Sequence, residues 1–261
     1  MVAAAVALVV AACVFAGSLL AMSAARALPD SHLSAEARDV IKLCMALVAT
    51  LVALVLGLLV ATAKGTYDAQ SAGIRQLSAD VLLLDRTLAE YGPQARHPRD
   101  LLREAAEVML ERLWPADGSA PVSLAPGEAE AQMSEFLREV TGLAPQDGVQ
   151  QFLKAQALRI TADLAQARFQ LYVQGTTSLP LPFLVVVVTW LIVLFGGYGL
   201  IAARNATVMI FLLACTLSVA GAIFLIEELA DPFAGVVRVS DRPLREVVSQ
   251  LGRQAGDNRG E

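Results

Sequence analysis

The residues able to do chemistry in this chain are few and scattered. Glu227, Glu228 and Asp231 form one acidic cluster directly after an apolar run. Carboxylates so placed would make a cation site or a charged ring at a pore mouth. The competing reading is a helix end at the water interface, where such charges are common and well solvated. A fixed negative charge is mildly unfavourable at a helix C-terminus, so an arginine such as Arg238 or Arg242 is the expected partner. Thr50 and Thr62 are the hydroxyls of the apolar run 43–63. They would offer oxygen to a passing ion, although threonines inside helices commonly bond their own backbone. Asp85 and Arg86 adjoin the apolar pair Leu84 and Leu88. They read as a salt bridge within a bundle or between subunits, not as catalytic groups.

Nothing else assembles into a reactive site. His32 and His97 are the only histidines, which restricts metal and acid–base chemistry. His32 reads as a solvated interfacial side chain. Cys13, Cys44 and Cys215 lie in three different apolar runs. Their spacing suits neither zinc nor a disulfide framework, and small buried apolar side chains are expected. No Ser/His/Asp, Cys/His, paired-carboxylate or glycine-rich phosphate constellation appears. No enzyme, metal or cofactor is therefore expected. Gly196-Gly197-Tyr198-Gly199 has the composition of a potassium filter but sits inside a continuous apolar helix, so packing is the expected role.

The elements that hold these residues are set by composition. The chain is 56% hydrophobic, with a mean hydropathy of +0.57. That is too apolar for a soluble protein and fits a multi-span membrane protein with one polar domain. The net charge of −5 and the lack of a basic patch argue against nucleic acid as a partner. Residues 2–25 are uncharged and long enough to span, longer than the apolar core of a signal peptide. The run 43–63 is bracketed by Lys42 and Lys64. At about 1.5 Å per residue it covers roughly 30 Å, the hydrocarbon thickness of a bilayer. Residues 181–203 and 206–226 supply two further spans joined by a short turn at Arg204-Asn205.

The second span carries a pattern of its own. Ala46, Thr50, Ala53, Gly57 and Ala61 recur at helical spacing and form one stripe of small residues. Such a stripe lets a backbone, or an aqueous path, come close. The candidate pore-lining residues are Thr50, Ala53, Gly57 and Ala61. Gly17 and Ala21 on the first span, and Ala214, Ser218 and Ala222 on the fourth, make similar faces.

Between the second and third spans the periodicity stays helical but turns amphipathic. Leu77, Val81, Leu84, Leu88 and Tyr91 make a core-facing stripe that Gly92-Pro93 ends. Gly65 alone separates this stripe from the second span, so the pattern allows one long rod. A second helix is expected from His97-Pro98 to Trp114, with Pro98 in its first position. Then follow a loop over 116–126, a helix over 128–141 with Met133, Phe136, Leu137 and Val140 facing inward, and a helix over 147–174. The last has the stripe Val149, Leu153, Ala157, Ile160, Leu164, Ala167 and Leu171. After Pro232 a short helix from Ser240-Asp241 should dock by Leu244, Val247, Val248 and Leu251, and 252–261 reads as a frayed tail.

The expected fold is thus an all-α membrane protein. It has four transmembrane helices, with a cytoplasmic helical bundle between the second and third spans. The divisions fall at 1–63, 64–178, 179–230 and 231–261. Four spans place both termini and the large domain on one side. Lys64, Arg75, Arg168, Arg238, Arg242 and Arg245 on that side outnumber Arg26, Arg38, Lys42 and Arg204 on the other. That bias puts the termini in the cytoplasm and the protein in the inner membrane.

Four segments then resemble a family of bacterial membrane proteins described as bestrophin-like. They are residues 39–64, Leu84-Asp85-Arg86-Thr87-Leu88 to Tyr91-Gly92, Leu113-Trp114-Pro115, and Asp231-Pro232-Phe233-Ala234-Gly235. The resemblance covers nearly the whole chain and marks Asp85, Arg86, Trp114, Pro232, Phe233 and Gly235 as motif residues. By analogy with true bestrophins it implies a homo-oligomeric channel for small anions, in a lipid bilayer, with the second span lining the pore. The chain departs from the true bestrophins in having no aromatic residue and no proline in that span. Two functions then compete. In a channel the small stripe faces a symmetry axis or water-filled cavity. In a non-conducting scaffold or sensor, whose helical domain binds a cytosolic partner, the stripe packs against helices of its own subunit.

Overall fold

The computed structural model describes residues 2–27, 29, 34–115, 128–175, 181–202, 205–230, 232–233 and 235–257. His32, the loop over 116–126, Arg204, Asp231 and Ala234 lie outside the described residues. Among the described residues every regular element is a helix. They are α1 (Val2–Ala24), α2 (Ala35–Tyr91), a 3-10 turn (Pro93–Ala95), α3 (Arg96–Leu113), α4 (Glu128–Gly142), α5 (Gly148–Gly175), α6 (Leu181–Ile201), α7 (Ala206–Ala230) and α8 (Arg242–Asp257). Four of them, α1, α2, α6 and α7, are long and apolar enough to cross a membrane.

The helix ends follow side-chain chemistry. Ser34 Oγ accepts from the Ala37 N–H at 3.2 Å and starts α2. Asn205 Oδ1 accepts from Val208 N–H at 2.8 Å and starts α7. Asp147 Oδ1 accepts from Gln150 N–H at 2.7 Å and starts α5. Each satisfies a first-turn donor that the helix cannot pair internally. At the other end of α4, Lys154 Nζ donates to the carbonyls of Thr141 (2.6 Å) and Leu143 (2.8 Å).

Helix α2 runs unbroken for 57 residues. Gly65 does not interrupt it, since a lone glycine costs a helix only about 1 kcal/mol. It ends where Gly92 takes φ +111°, a conformation that side chains disfavour. The expected start of α3 at Pro98 is corrected. The helix begins at Arg96, after the 3-10 turn, and Pro98 occupies its first turn, where the missing N–H is still harmless. The tail is corrected too: α8 continues through Gly252 to Asp257.

The chain divides into two compact units, and α2 runs from the first into the second. The first comprises Met1–Thr66 and Ser178–Asp231. In it α1 packs on α6 and α7. Val14 and Met22, Met45 and Val52, Val187 and Leu191, and Leu212 and Ile223 form its core. The glycines of 196–199 are contact points, as the absence of a loop implied. A Cβ on Gly199 would run into the backbone carbonyl of Ser18, and one on Gly197 into the Met45 side chain. Gly17 faces Ile192 and Gly196 faces Ala21. Small residues thus let α6 approach α1 closely, which is how helices associate where lipid removes the hydrophobic drive.

The three cysteines are exposed, contrary to expectation. In a membrane helix an apolar residue gains nothing from facing inward, because lipid is as apolar as the protein core. The same reasoning covers Leu43, Leu47, Leu54 and Leu58, all exposed on α2.

The second unit comprises Tyr67–Thr177 and Pro232–Glu261. Here α3 packs on α4 and α8, and α4 on α5. The α2 stripe Leu77, Val81, Leu84, Leu88 and Tyr91 is buried in the core. Leu153, Ala157, Ile160 and Leu164 of α5 meet it, as do Leu244, Val247 and Leu251 of α8. Val149 and Leu137 are exposed, against the expectation that both face inward. The first turn of α5 therefore lies outside the packed stretch, and the α4 face is narrower than its apolar pattern.

Candidate functional site

The membrane stretch of α2 has three faces. Met45, Val52 and Ala63 are buried, with Val48, Ala49, Leu56 and Leu59 packed beside them in the first unit. Next around the helix come Ala46, Thr50, Ala53, Gly57 and Ala61, all exposed. The third face carries the exposed leucines 43, 47, 54 and 58. So the four candidate pore-lining residues share one face, and no described helix of the same chain covers it. A Cβ on Gly57 would meet nothing within 4 Å. Thr50 donates its hydroxyl to the Ala46 carbonyl at 2.9 Å, and Thr62 to Leu58 at 2.9 Å. Their protons are therefore committed to the helix, and only oxygen lone pairs point away from it.

Two of the three acidic residues lie within α7. The helix continues to Ala230, so Glu227 and Glu228 lie inside its last turn instead of beyond its end. Glu228 is buried, at 3% exposure, and Glu227 is half-buried. Among the described residues no three His, Cys, Asp or Glu side chains are grouped to hold a metal ion.

The motif residues Trp114, Pro232, Phe233 and Gly235 converge in the second unit. Trp114 Nε1–H donates to the Val239 carbonyl at 2.9 Å. Its ring meets Phe233 edge-on, with centroids 5.7 Å apart. Val239 N–H donates to the Pro232 carbonyl at 2.8 Å, closing the turn that leads into α8. Gly235 has φ +87° there, which explains a glycine at that place. Arg238 Nε donates to the Gly235 carbonyl at 2.7 Å, and Tyr67 Oη to the Arg238 carbonyl at 3.2 Å. A side chain with both a large apolar face and one donor suits this junction, because a buried indole N–H needs an acceptor.

Asp85 and Arg86 part company. Arg86 is exposed. Asp85 is 2% exposed and takes a two-pronged ion pair from Arg99, with Nε–Oδ1 at 2.7 Å and Nη2–Oδ2 at 3.1 Å. Arg99 escaped the sequence reading. The signal was available: Asp85 and Arg99 lie equally far from Gly92, as facing positions of a helical hairpin must.

An all-helical integral membrane protein, four of whose helices can span a bilayer, is thus defined by the fold and by the face it presents. A family model, the Bestrophin-like domain, matches residues 12–244, and the chain belongs to this family. Among curated proteins no sequence matches. Three of the solved structures that resemble the chain are single-substitution variants of a bacterial bestrophin homologue from Klebsiella pneumoniae. One has a TM-score of 0.65 at 14% identity, covering 97% of this chain and 99% of that one. A second has a TM-score of 0.64 at 15% identity, covering 97% and 98%. A third has a TM-score of 0.59 at 18% identity, covering 98% and 97%. At such identities the likeness establishes a shared fold, not shared chemistry.

Proposed function

We propose that this protein is an oligomeric, passive channel for small anions in the bacterial inner membrane, its path lined by Thr50, Ala53, Gly57 and Ala61 of α2. The observation that carries the reading is the uncovered stripe. A scaffold would bury these small residues against its own helices. Here α2 turns Met45, Val52 and Ala63 inward and leaves the stripe exposed on the single chain. Homo-oligomerisation around that stripe would supply the missing wall. No span carries a charge near its middle, so passage relies on constriction and wetting rather than a charged ring. Anion preference comes from the bestrophin analogy, since the threonine protons are held by their own helix. The distribution of lysine and arginine supports cytoplasmic termini and a cytoplasmic helical bundle. The end of α7, with Glu227, Glu228 and Asp231, would then lie on the cytoplasmic side.

The test is anion flux in liposomes, comparing wild type with Gly57→Leu and Thr50→Leu. Both positions are exposed, and position 57 has open space around it. These substitutions therefore fit the single chain and act only on what lies across the stripe. A loss of flux of tenfold or more in Gly57→Leu is expected. Wild-type flux no greater than in empty liposomes would refute conduction. Full flux in both variants would refute α2 as the path.

A further inference from the structure

The first unit holds a groove that the channel reading does not use. It lies between α2, α6 and α7 and has a volume of about 600 Å³. Met45, Phe195 and Leu212 form its floor and are buried, while Tyr198, Phe211 and Cys215 form its rim and are exposed. The groove is therefore a hollow between three helices, not a flat helix face. Almost all of its lining atoms are apolar. Water finds too few partners in such a space and leaves it to apolar groups. Left empty, the hollow would deprive its floor of van der Waals contacts on one side.

Position and depth say which apolar group fills it. Lys42 and Thr207 line one end of the groove. Lys42 directly precedes the apolar run 43–63, and Thr207 lies in the first turn of α7. Both mark the headgroup level, where the polar tip of a tyrosine such as Tyr198 also belongs. Along α7 the lining runs from Thr207 to Cys215, about 12 Å at 1.5 Å per residue. The hydrocarbon core of a bilayer is roughly 30 Å thick, so each leaflet contributes about 15 Å. The groove thus opens where headgroups lie and ends short of the midplane. We infer that it holds one acyl chain of a membrane phospholipid, from the leaflet that borders the turn between α6 and α7, laid against Met45, Phe195 and Leu212. The mouth sets no headgroup preference, because Lys42 donates to Asp39 at 2.9 Å and its charge is already balanced. The lipid is held by its chain. The site lies wholly within the first unit, and its occupancy is independent of whether α2 conducts.

The test uses the full chain in liposomes containing phosphatidylcholine with a photoreactive diazirine midway along one acyl chain. Irradiation and peptide mass spectrometry then locate the attached lipid. Ile210 and Leu217 are exposed on α7 outside the groove and serve as internal controls. Labelling of Phe211, Leu212 and Cys215 is expected to exceed theirs at least fivefold. Cys215→Trp, at an exposed position, should fill the groove and remove the excess at Phe211 and Leu212 without lowering the melting temperature. Phosphatidylglycerol carrying the same diazirine should label the groove to the same extent. Groove labelling no stronger than at Ile210 and Leu217 would reduce the contact to ordinary surrounding lipid and overturn the assignment. Labelling weaker than at those controls, the result if a second copy of the chain covered the groove, would overturn it too. So would an undiminished excess in a folded Cys215→Trp protein, or a fivefold preference for the phosphatidylglycerol probe.

Discussion

Asp85→Asn is the most informative perturbation of the second unit. The Asp85 carboxylate is 2% exposed and held by both forks of Arg99, whose side chain is 17% exposed. Asparagine keeps the shape and removes the charge. It then places a neutral amide against a largely buried guanidinium. Removing one partner of a buried pair costs about 3–5 kcal/mol, because the remaining charge is left uncompensated. Arg99 retains some contact with solvent, so the lower end, about 3 kcal/mol, applies. For a unit of this size each kcal/mol moves the melting temperature by about 3 °C, giving a fall on the order of 9 °C. The assay is thermal unfolding in detergent, followed by tryptophan fluorescence, in a cycle of Asp85→Asn, Arg99→Leu and an Asp85→Leu/Arg99→Leu double variant. The double variant removes both charges and should recover most of the loss. If Asp85→Asn shifts the transition by less than about 2 °C, or the double variant is as damaged as the sum of both singles, the pair is not the electrostatic unit described.

Three further outcomes test other parts of the structure. Gly199→Ala should cost about 1–3 kcal/mol, because the new Cβ meets the Ser18 backbone; Gly57→Ala, with open space around it, should be neutral or stabilising, and the two melting curves decide. Trp114→Phe removes the donor to the Val239 carbonyl and should cost about 1–2 kcal/mol. Trypsin should then cut faster at Arg238, whose segment that bond restrains. The Tyr91 phenol is buried without a hydrogen-bond partner among the described residues, and burial, with Asp147 adding to it, raises its pKa above the ordinary 10.0. Below about pH 10 the phenol is neutral in both states; above that the folded state loses stability relative to the unfolded chain, which ionises first. Tyr91→Phe should therefore equal wild type in stability, or exceed it, near neutrality, and should lose less stability between pH 9 and 11. An equal alkaline slope in both proteins would refute the burial argument.

The periodic parts of this fold were legible. The stripe from Leu77 to Tyr91 repeats at three and four residues, and a polar-domain helix has one buried face to advertise. The membrane helices advertise nothing of the kind. Apolar residues cover their whole surface, so Cys13, Cys44 and Cys215 gave no sign of facing outward. Small residues were the exception: Gly197 and Gly199 stand out by size, and contact is what they provide. The partner of Asp85 was hidden for another reason. A salt bridge joins two helices, and single-helix patterns do not register a neighbour. The cavity within the second unit was less visible still, since five helices drawn from positions 77 to 244 contribute to it. Pro98 misled because its first-turn placement is permitted at several positions, and the 3-10 turn that moved the start has no strong signature.

The second unit is built from two separated pieces of chain, and this orders its biosynthesis. A ribosome releases Tyr67–Thr177 well before Pro232–Glu261, with α6 and α7 made in between. Until the last piece emerges, Leu244, Val247 and Leu251 are missing from the core and Trp114 has no Val239 carbonyl to meet. The nascent chain must therefore carry an unfinished apolar surface through the insertion of two membrane helices. Completion of α8 closes that surface. A chain that stalls before it would remain marked, by its own exposed core, for chaperones and proteases.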